Sequence, residues 1–280
     1  MKYTIYNKSC ESMKDIEDEQ IASIFTSPPY ALAKNYGDTE GIGMSDNVDA
    51  YKEYLDRMQK VFNECYRVIV PGRYIGVNIA DVIQVDKHGS DKKPIQFHFY
   101  VLLRKSGFQY AEVLIWKKPD GMTTQKRFGV FIQHPYPLYY HPNNIYEPIL
   151  LFKKPGSANL SEQDKVDNKL DYRKFQKFQT DIWEIQPETG VNHPAPFPMT
   201  LPKLFFNLHS LKGETVLDPF LGSGSSMLAA RLLRRECIGY EINKEYIDLI
   251  KSRCGFAQEG QSTMDVFDES LKKEDILEVV

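Results

Sequence analysis

Four consecutive residues, Ser27-Pro28-Pro29-Tyr30, combine groups that could hold an aromatic amine. The two prolines fix φ and remove two N–H donors, so the apolar run before them, residues 21–26, must end in a rigid loop. The Ser27 hydroxyl and the Pro28 carbonyl can accept hydrogen bonds from an exocyclic amine, which localises the lone pair on its nitrogen. Tyr30 offers a flat face for stacking a base. On a surface, the same residues would form a proline turn or a polyproline recognition segment.

A second segment, residues 216–226 (VLDPFLGSGSS), has the composition of a ligand-binding loop. Its small residues let the backbone approach a ligand, and the helix that follows offers free N–H groups. It lacks the lysine of a P-loop and the third glycine of a dinucleotide fingerprint. Glu241, after the next strand, can accept both hydroxyls of a ribose, and Asp218 could bind an ammonium group. A ligand with a ribose and an ammonium group but no phosphate is S-adenosylmethionine.

Hydrophobic periodicity predicts an alternation of strands and helices around both segments. The predicted strands cover residues 3–6, 21–26, 74–79, 110–116, 147–152, 215–217 and 237–240. The predicted helices cover residues 10–20, 51–69, 97–106, 202–211, 226–234 and 244–253, and residues 84–94 are expected to form a charged loop. A strand, a Gly-rich loop, a helix, a strand and an acid in succession form a nucleotide-binding βαβ unit. The sequence therefore predicts the α/β class, with an open, mostly parallel, Rossmann-like sheet.

Composition excludes several classes of protein. The chain has 280 residues, of which 42% are hydrophobic and 26% charged, so it can bury a core and is not a disordered protein. It has neither an apolar run long enough for a membrane span nor the apolar stretch of a signal peptide at its N-terminus. The four cysteines have no ligand-like spacing, so we expect reduced thiols in a cytosolic protein, with neither disulfides nor a metal site.

Charge is distributed unevenly along the chain. The net charge is −3, but residues 256–280 hold seven acids and two lysines, an acidic tail that leaves residues 1–255 at +2. Residues 86–130 hold nine Lys or Arg against four Asp or Glu, a local charge of +5. This basic stretch is either a solvated surface loop or a contact for nucleic acid.

Taken together, the motifs resemble those of the β-class DNA amino-methyltransferases of restriction–modification systems. The family's (S/D/N)PP(Y/F) catalytic motif matches residues 27–30, its DPFxGSG cofactor motif matches residues 218–224, and residues 193–198 (HPAPFP) match a third motif. The catalytic motif comes first and the cofactor motif last, which is the order of the β class. In one departure, Ser9 stands where the family often has an acid near the first strand.

The resemblance implies a set of site residues and a cofactor, S-adenosylmethionine. The catalytic residues would be Ser27, Pro28, Pro29 and Tyr30. The cofactor-binding residues would be Asp218, Pro219, Phe220, Gly222, Ser223, Gly224, Glu241, His193, Pro194 and Phe197. No metal is implied.

The resemblance also implies an activity, methylation of the exocyclic N4 amine of a flipped-out cytosine in duplex DNA. The preference for cytosine rests on a family regularity, since Ser at the first motif position usually accompanies N4 methylation of cytosine and Asp usually accompanies N6 methylation of adenine. Two alternatives within the enzyme class are adenine N6 as the acceptor and RNA as the substrate. An alternative of another class is a catalytically silent DNA-binding or specificity subunit.

The expected organisation is a single methyltransferase domain over residues 1–280. Its catalytic motif lies at residues 26–30, its cofactor motif at 216–226, a candidate target-recognition insert at 117–180 and an acidic tail at 256–280. Residues 117–145 of the insert are the main candidate for DNA contacts, and residues 153–180 of the insert and 86–94 outside it are secondary ones. The expected partner is double-stranded DNA in the prokaryotic cytoplasm, at the nucleoid, with no membrane. A cognate restriction endonuclease and a homodimer are further partners that the resemblance leaves open.

Overall fold

An eight-stranded sheet forms the centre of the protein. The computed structural model describes residues 1–30, 48–86, 89–119, 133–140, 142, 144–188 and 197–256. The strands of this sheet are β1 Tyr3–Tyr6, β2 Ser23–Thr26, β3 Tyr74–Asn78, β6 Gln109–Lys117, β7 Tyr146–Lys153, β8 Ile182–Glu184, β9 Thr215–Asp218 and β10 Glu236–Tyr240. Two further strands, β4 Val82–Asp86 and β5 Gly89–Lys93, pair with each other.

Strand direction decides which loops share an edge. The order across the sheet is β1-β10-β9-β2-β3-β7-β6-β8, and the first five strands are mutually parallel. Strand β7 is antiparallel to β3 and to β6, and β8 is parallel to β6. The carboxyl ends of the parallel strands therefore lie along one edge, called here the carboxyl edge, and β7 begins at that edge. The predicted open, mostly parallel α/β sheet is confirmed.

Helices cover both faces of this sheet, as expected for buried parallel strands. They are α1 Val48–Val68, α2 Ile95–Lys105, α3 Glu162–Asp167, α4 Tyr172–Phe175, α5 Thr200–His209, α6 Ser225–Leu232 and α7 Lys244–Arg253, with a 3-10 turn at Gln176–Phe178. Apolar residues of α1 and α2 pack in one core. Those of α5, α6 and α7 pack in a second. None of the described helices is long and apolar enough to cross a bilayer.

The helix predicted over residues 10–20 is wrong, because these residues form a succession of turns. Their buried apolar side chains, Cys10, Met13 and Ile16, are spaced as on a helix face. The backbone, however, bonds to side chains of α1. Arg67 donates to the carbonyls of Met13 at 2.8 Å and Ile16 at 2.9 Å, and the amide of Met13 donates to Glu64 at 2.6 Å. These side chains satisfy backbone groups that a helix would have used internally.

The charged loop predicted over residues 84–94 is also wrong, because most of it belongs to the β4–β5 hairpin. The first strand has the β-branched composition of a strand (VIQVD). The second strand (GSDKK) is charged and small, and this composition favours a loop when it is read alone. Pairing with β4 overrides that local preference.

Candidate active site

The two main motifs meet at the carboxyl edge. Ser27-Pro28-Pro29-Tyr30 directly follows β2, and the Gly-rich loop directly follows β9, its neighbour in the sheet. Thr26, the last residue of β2, donates from Oγ1 to Oδ1 of Asp218, the last residue of β9, at 2.7 Å. In open α/β sheets, ligands bind in the crevice at this edge.

Asp218 lies completely buried beneath the Gly-rich loop. Its Oδ1 also accepts the amide of Phe220 at 3.0 Å, and the Ser226 side chain acts on the same carboxylate. Burial raises the pKa of Asp218 to about 6, although Ser226, Thr26 and the amide of Phe220 act in the opposite direction. A buried carboxylate next to the Gly-rich loop fits a cationic ligand group bound at that loop, because a nearby positive charge offsets the cost of its burial.

The Gly-rich loop has a backbone shape that depends on its glycines. Gly222 and Gly224 have φ of +53° and +86°, in the left-handed region that glycine adopts without strain. Gly224 also caps the N-terminus of α6, where no side chain caps the free N–H groups. The amide of Leu221 donates to the carbonyl of Tyr240 at 2.9 Å, which fixes the loop to the end of β10.

Glu241 follows β10 and faces the same loop. Its Oε2 accepts the amide of Gly222 at 2.9 Å, and its Oε1 accepts the amide of Asn243 at 2.7 Å. Burial raises the pKa of Glu241 to about 7, although the two amides act to lower it. Each carboxylate oxygen keeps a second lone pair, so both can accept a hydrogen bond from a ribose hydroxyl. The geometry fits the sugar contact predicted from the sequence.

The catalytic motif is held from two sides. Pro28 is buried, while Ser27 and Tyr30 are partly exposed toward the edge. From α1, Tyr54 donates through Oη to the carbonyl of Pro29 at 2.9 Å. From the end of β3, the Asn78 Nδ2 lies 3.2 Å from the Tyr30 Oη and 3.5 Å from the Ser27 Oγ. The motif is thus a loop fixed by hydrogen bonds, with Ser27 partly exposed and the Tyr30 side chain packed in part against the first core.

Sequence reasoning missed a buried ion pair beside this motif. Lys118 donates through Nζ to Oε1 of Glu147 at 2.6 Å, and both residues are more than nine-tenths buried. Oε2 of Glu147 accepts Oη of Tyr30 at 2.6 Å and Nδ2 of Asn78 at 2.9 Å. The sequence signal for this pair was an acid, Glu147, at the start of an apolar strand that begins at the carboxyl edge.

A second missed residue is Arg253, at the end of α7. Its Nη1 donates to the carbonyl of Ser223 at 2.9 Å and to the Ser223 Oγ at 2.8 Å. Its Nη2 donates to Oε1 of Glu188 at 2.6 Å. Arg253 therefore ties the Gly-rich loop to the segment that precedes the third motif.

The third motif is described only in part. His193 and Pro194 lie outside the described residues. Phe197 is described, and its carbonyl accepts Oγ of Ser225 at 3.2 Å while its ring contacts Phe25 edge-on with centroids 5.9 Å apart. Phe197 thus joins the start of α6 to β2, next to the Gly-rich loop.

Near the first strand, Asn7 and not Ser9 bonds to the cofactor side of the edge. Nδ2 of Asn7 donates to the carbonyls of Glu241 at 2.8 Å and Ile242 at 3.0 Å. Ser9 is exposed, and its Oγ donates to a carboxylate oxygen of Glu11 at 3.1 Å. Ser9 thus makes a local bond of its own turn.

Among the described residues, no three His, Cys, Asp or Glu side chains form a group that could hold a metal ion. The four cysteines are buried free thiols, at Cys10, Cys65, Cys237 and Cys254. Burial raises the pKa of each thiol.

Comparison of the sequence with known families identifies the class of protein to which this chain belongs. Residues 21–252 match the DNA methylase family of N6 and N4 methyltransferases, and the chain belongs to that family. The predicted class, a β-class amino-methyltransferase of restriction–modification type, is confirmed. The predicted methyl donor, S-adenosylmethionine, and DNA as the substrate are confirmed with it.

Similar proteins include several type II methyltransferases. M.MjaI of Methanocaldococcus jannaschii is 29% identical over 279 residues, which cover 88% of this chain and 89% of that protein. M.MthZI of Methanothermobacter thermautotrophicus is 27% identical, with 90% and 76% covered. The type II beta methyltransferase M.BslI of Bacillus sp. strain NEB-606 is 28% identical over 89% of this chain, which spans 27% of the length of that protein.

Solved structures share the fold. A DNA modification methylase of Thermus thermophilus, TTHA0409, complexed with S-adenosyl-L-methionine, has a TM-score of 0.74 at 24% identity and covers 90% of this chain and 93% of its own. The cytosine-N4-specific PvuII DNA methyltransferase has a TM-score of 0.69 at 19% identity and covers 94% and 89%. At these identities the likeness concerns the fold alone.

Proposed function

We propose that the protein methylates the exocyclic N4 amine of a cytosine that is flipped out of duplex DNA. The observation that carries this proposal is the bond between Thr26 and Asp218, which sets the SPPY loop directly beside the Gly-rich loop. An amine-binding loop and a cofactor loop on adjacent strands suit a direct transfer between two bound molecules. The target base must leave the duplex because its amine is otherwise buried in base pairing.

The proposed chemistry begins with the acceptor amine. Its lone pair is delocalised into the ring, so it is a weak nucleophile until its N–H bonds find acceptors. The Ser27 Oγ and the Pro28 carbonyl are the proposed acceptors, and the Tyr30 ring is the stacking face for the base. The bound cofactor supplies an electrophilic methyl group on a sulfonium centre.

Proton loss is assigned to the stage after transfer. A serine hydroxyl is far too weak a base to remove a proton from a neutral aromatic amine. Once methylated, the nitrogen is cationic and acidic, and it can release a proton through the Ser27 hydroxyl to water. The role of Ser27 is therefore to hold and polarise the amine.

The proposed cofactor pocket is the crevice between the Gly-rich loop and Glu241. Glu241 would accept the ribose hydroxyls, and the buried carboxylate of Asp218 would attract the ammonium group through its charge. Pro219, Phe220, Gly222, Ser223 and Gly224 would form the loop around the ligand. Phe197 closes the side toward β2, and His193 and Pro194 are assigned by the motif alone.

The choice of cytosine over adenine is a proposal supported by one residue. Ser27 occupies the first position of the catalytic motif, where the family regularity favours N4 methylation. The PvuII enzyme, which has the same fold, is cytosine-N4-specific. Both bases present a ring nitrogen beside the amine, so the geometry of Ser27 does not select between them.

The proposed DNA interface lies at the carboxyl edge. Residues 118–145 connect the end of β6 to the start of β7, both at that edge, whereas residues 154–181 connect strand ends at the opposite edge. We therefore narrow the recognition region to residues 117–145 and the β4–β5 hairpin. In the first of these, Leu138 is 96% exposed, and an exposed apolar side chain can serve as a contact with bases. Three exposed tyrosines lie within two residues of Leu138 in the sequence, Tyr136, Tyr139 and Tyr140.

The proposed setting is a restriction–modification system in the prokaryotic cytoplasm, at the nucleoid. The type II methyltransferases that the chain resembles support this setting. A cognate restriction endonuclease and a second copy of the chain stand as proposed partners.

Expression in a methylation-free host tests the proposal. Single-molecule sequencing of the host DNA should find N4-methylcytosine at one short sequence, and Ser27→Ala should abolish it. N6-methyladenine in its place would move the acceptor to adenine. A folded protein that binds the cofactor and DNA but leaves all bases unmodified would be a silent subunit.

A further inference from the structure

We infer that the buried Lys118–Glu147 ion pair is a positioning unit for the catalytic motif, which it holds through Tyr30 and Asn78. This inference rests on the proposed function, because it concerns how the SPPY loop presents its ring and its hydroxyl to a base. Lys118 and Glu147 touch neither the base nor the cofactor in this proposal, and they act through the two residues that Glu147 binds.

The bonding around Glu147 is saturated on the side of the motif. Its Oε1 accepts Nζ of Lys118 at 2.6 Å, and its Oε2 accepts both Oη of Tyr30 at 2.6 Å and Nδ2 of Asn78 at 2.9 Å. Nζ of Lys118 lies 4.8 Å from the ring centroid of Trp116, so the lysine is itself held in place. Asn78 at the end of β3 and Glu147 in β7 thus contact Tyr30 directly, and Lys118, which follows β6, holds Glu147.

The buried position of the Lys118–Glu147 pair carries an electrostatic cost in the free energy of folding. Both members of the pair are at least nine-tenths buried, and removing two charges from water carries a penalty that the pair repays only with good geometry and further hydrogen bonds. The further bonds of Glu147 run to Tyr30 and Asn78. A buried charge whose remaining hydrogen bonds go to the catalytic loop is suited to orienting that loop.

The carboxylate also fixes the orientation of its neighbours. An ionised Glu147 can only accept hydrogen bonds, so the Asn78 amide must present its Nδ2 to it, and the same nitrogen then lies 3.5 Å from the Ser27 Oγ. The Tyr30 hydroxyl must point its hydrogen at the carboxylate, which restrains the plane in which the ring can offer its face. Both constraints act on the groups proposed to meet the base.

Coupling between Tyr30 and Glu147 tests the inference. Methyl transfer from radiolabelled S-adenosylmethionine to genomic DNA of a methylation-free host gives kcat for the wild type, Tyr30→Phe, Glu147→Gln and the double variant. Tyr30→Phe keeps the stacking ring and removes only the hydroxyl. We expect it to lower kcat about tenfold in the wild type and by no more than about twofold in the Glu147→Gln background. The KM for S-adenosylmethionine should change by less than about twofold throughout.

Two further variants separate positioning from folding. Glu147→Gln leaves Lys118 buried without its countercharge, so the protein can lose stability as well as activity. The variant Lys118→Met/Glu147→Gln removes that isolated charge, and we expect it to regain thermal stability without regaining kcat. The matched control is Lys154→Met. Lys154 has a side chain as buried as that of Lys118, but it follows the opposite end of β7 and pairs with Glu19. It should lower Tm and leave kcat per folded molecule unchanged.

The outcomes distinguish this inference from the proposed function. A wild-type protein that transfers no methyl groups to DNA would overturn both. An active wild type with additive effects of Tyr30→Phe and Glu147→Gln, or with wild-type kcat in Lys118→Met/Glu147→Gln, would overturn only the positioning role. In that case the ion pair would serve the fold alone.

Discussion

Two carboxyl groups at the carboxyl edge have pKa values close to neutral pH. Burial raises the pKa of Asp218 to about 6 and that of Glu241 to about 7. Hydrogen bonds from backbone amides and from Thr26 oppose this rise without cancelling it. Burial disfavours the ionised form of each carboxyl group. A ligand that supplies hydrogen-bond donors or a positive charge stabilises that form, so the burial that costs the free protein stability favours cofactor binding.

Glu241→Ala should weaken binding of S-adenosylmethionine by roughly 1.5–3 kcal/mol, the range for hydrogen bonds to a charged partner. Isothermal calorimetry on the folded variant measures the loss. Glu245→Ala, which removes an exposed carboxylate at the start of α7, is the control and should bind normally. Unchanged affinity in folded Glu241→Ala would place the ribose elsewhere.

Thr26→Val should destabilise the protein more at pH 8 than at pH 5. The folded pKa of Asp218, about 6, lies above its ordinary value of 3.8, so the folded state binds the extra proton and loses that stability as pH rises through this window. Removing the Thr26 hydroxyl raises the pKa further, because it supports the ionised form. We expect a loss of about 1–3 kcal/mol at pH 8. Urea unfolding at both pH values checks it, and an equal loss at each would show that Asp218 is not involved.

At the scale of elements, Gly239 in β10 determines how closely the Gly-rich loop packs against that strand. A Cβ on Gly239 would lie 2.6 Å from Cδ2 of Leu221, which is buried in the Gly-rich loop. The Leu221 amide is also bonded to the end of β10. Strand β10 therefore fixes the position of the Gly-rich loop relative to the sheet. It thereby also fixes the groups that are proposed to bind the cofactor.

Gly239→Ala should cost about 1–3 kcal/mol of stability, as overpacking does in a filled core, and should also weaken cofactor binding. Calorimetry and denaturant unfolding measure the two effects. Gly213→Ala is the matched control: its φ of +85° makes alanine strained, but a Cβ there would meet nothing within 4 Å. It should lose roughly 1–2 kcal/mol with normal affinity. Normal affinity in Gly239→Ala would mean that the loop position does not matter for the ligand.

The elements beside the two motifs were predictable, because apolar runs that stop at Pro or Gly define strand ends locally. Strands β2, β9 and β10 end within a residue of the prediction, which placed the motifs at one edge. The helix over residues 10–20 was wrong because Arg67 and Glu64, far along the chain, take its backbone bonds. Within the site, Glu147 and Arg253 were missed for the same reason. Their partners lie at distances along the chain that no local pattern encodes.

At the scale of the whole molecule, charge is segregated in a way that net charge hides. The chain has a net charge of −3, yet the basic stretch over residues 86–130 carries +5 and the acidic tail carries −5. Part of the basic stretch, the end of β6, lies at the carboxyl edge, and the β4–β5 hairpin follows shortly after β3 ends at that edge. An enzyme that acts on DNA can thus be acidic overall and still attract phosphates at its active face.

Binding to duplex DNA should therefore weaken steeply with salt. Each phosphate contact adds about 0.9 to the negative slope of log K against log salt concentration. Fluorescence anisotropy between about 50 and 200 mM salt measures the slope. Deleting residues 260–280 should leave the affinity unchanged, since the tail is expected to lie away from the duplex. Affinity independent of salt would show that the basic stretch makes no phosphate contacts, and tighter binding after the deletion would show that the tail competes with DNA.

In the proposed reaction, the SPPY loop presents a cytosine amine to S-adenosylmethionine. The most direct test incubates the purified protein with unmethylated duplex DNA and S-adenosylmethionine that carries a deuterated methyl group, followed by nucleoside mass spectrometry. We predict deuteromethyl groups on N4 of cytosine with the wild type and a strong loss with Ser27→Ala, while cofactor and DNA affinity stay nearly intact. Label on adenine N6, or wild-type labelling of cytosine by Ser27→Ala, would contradict this account.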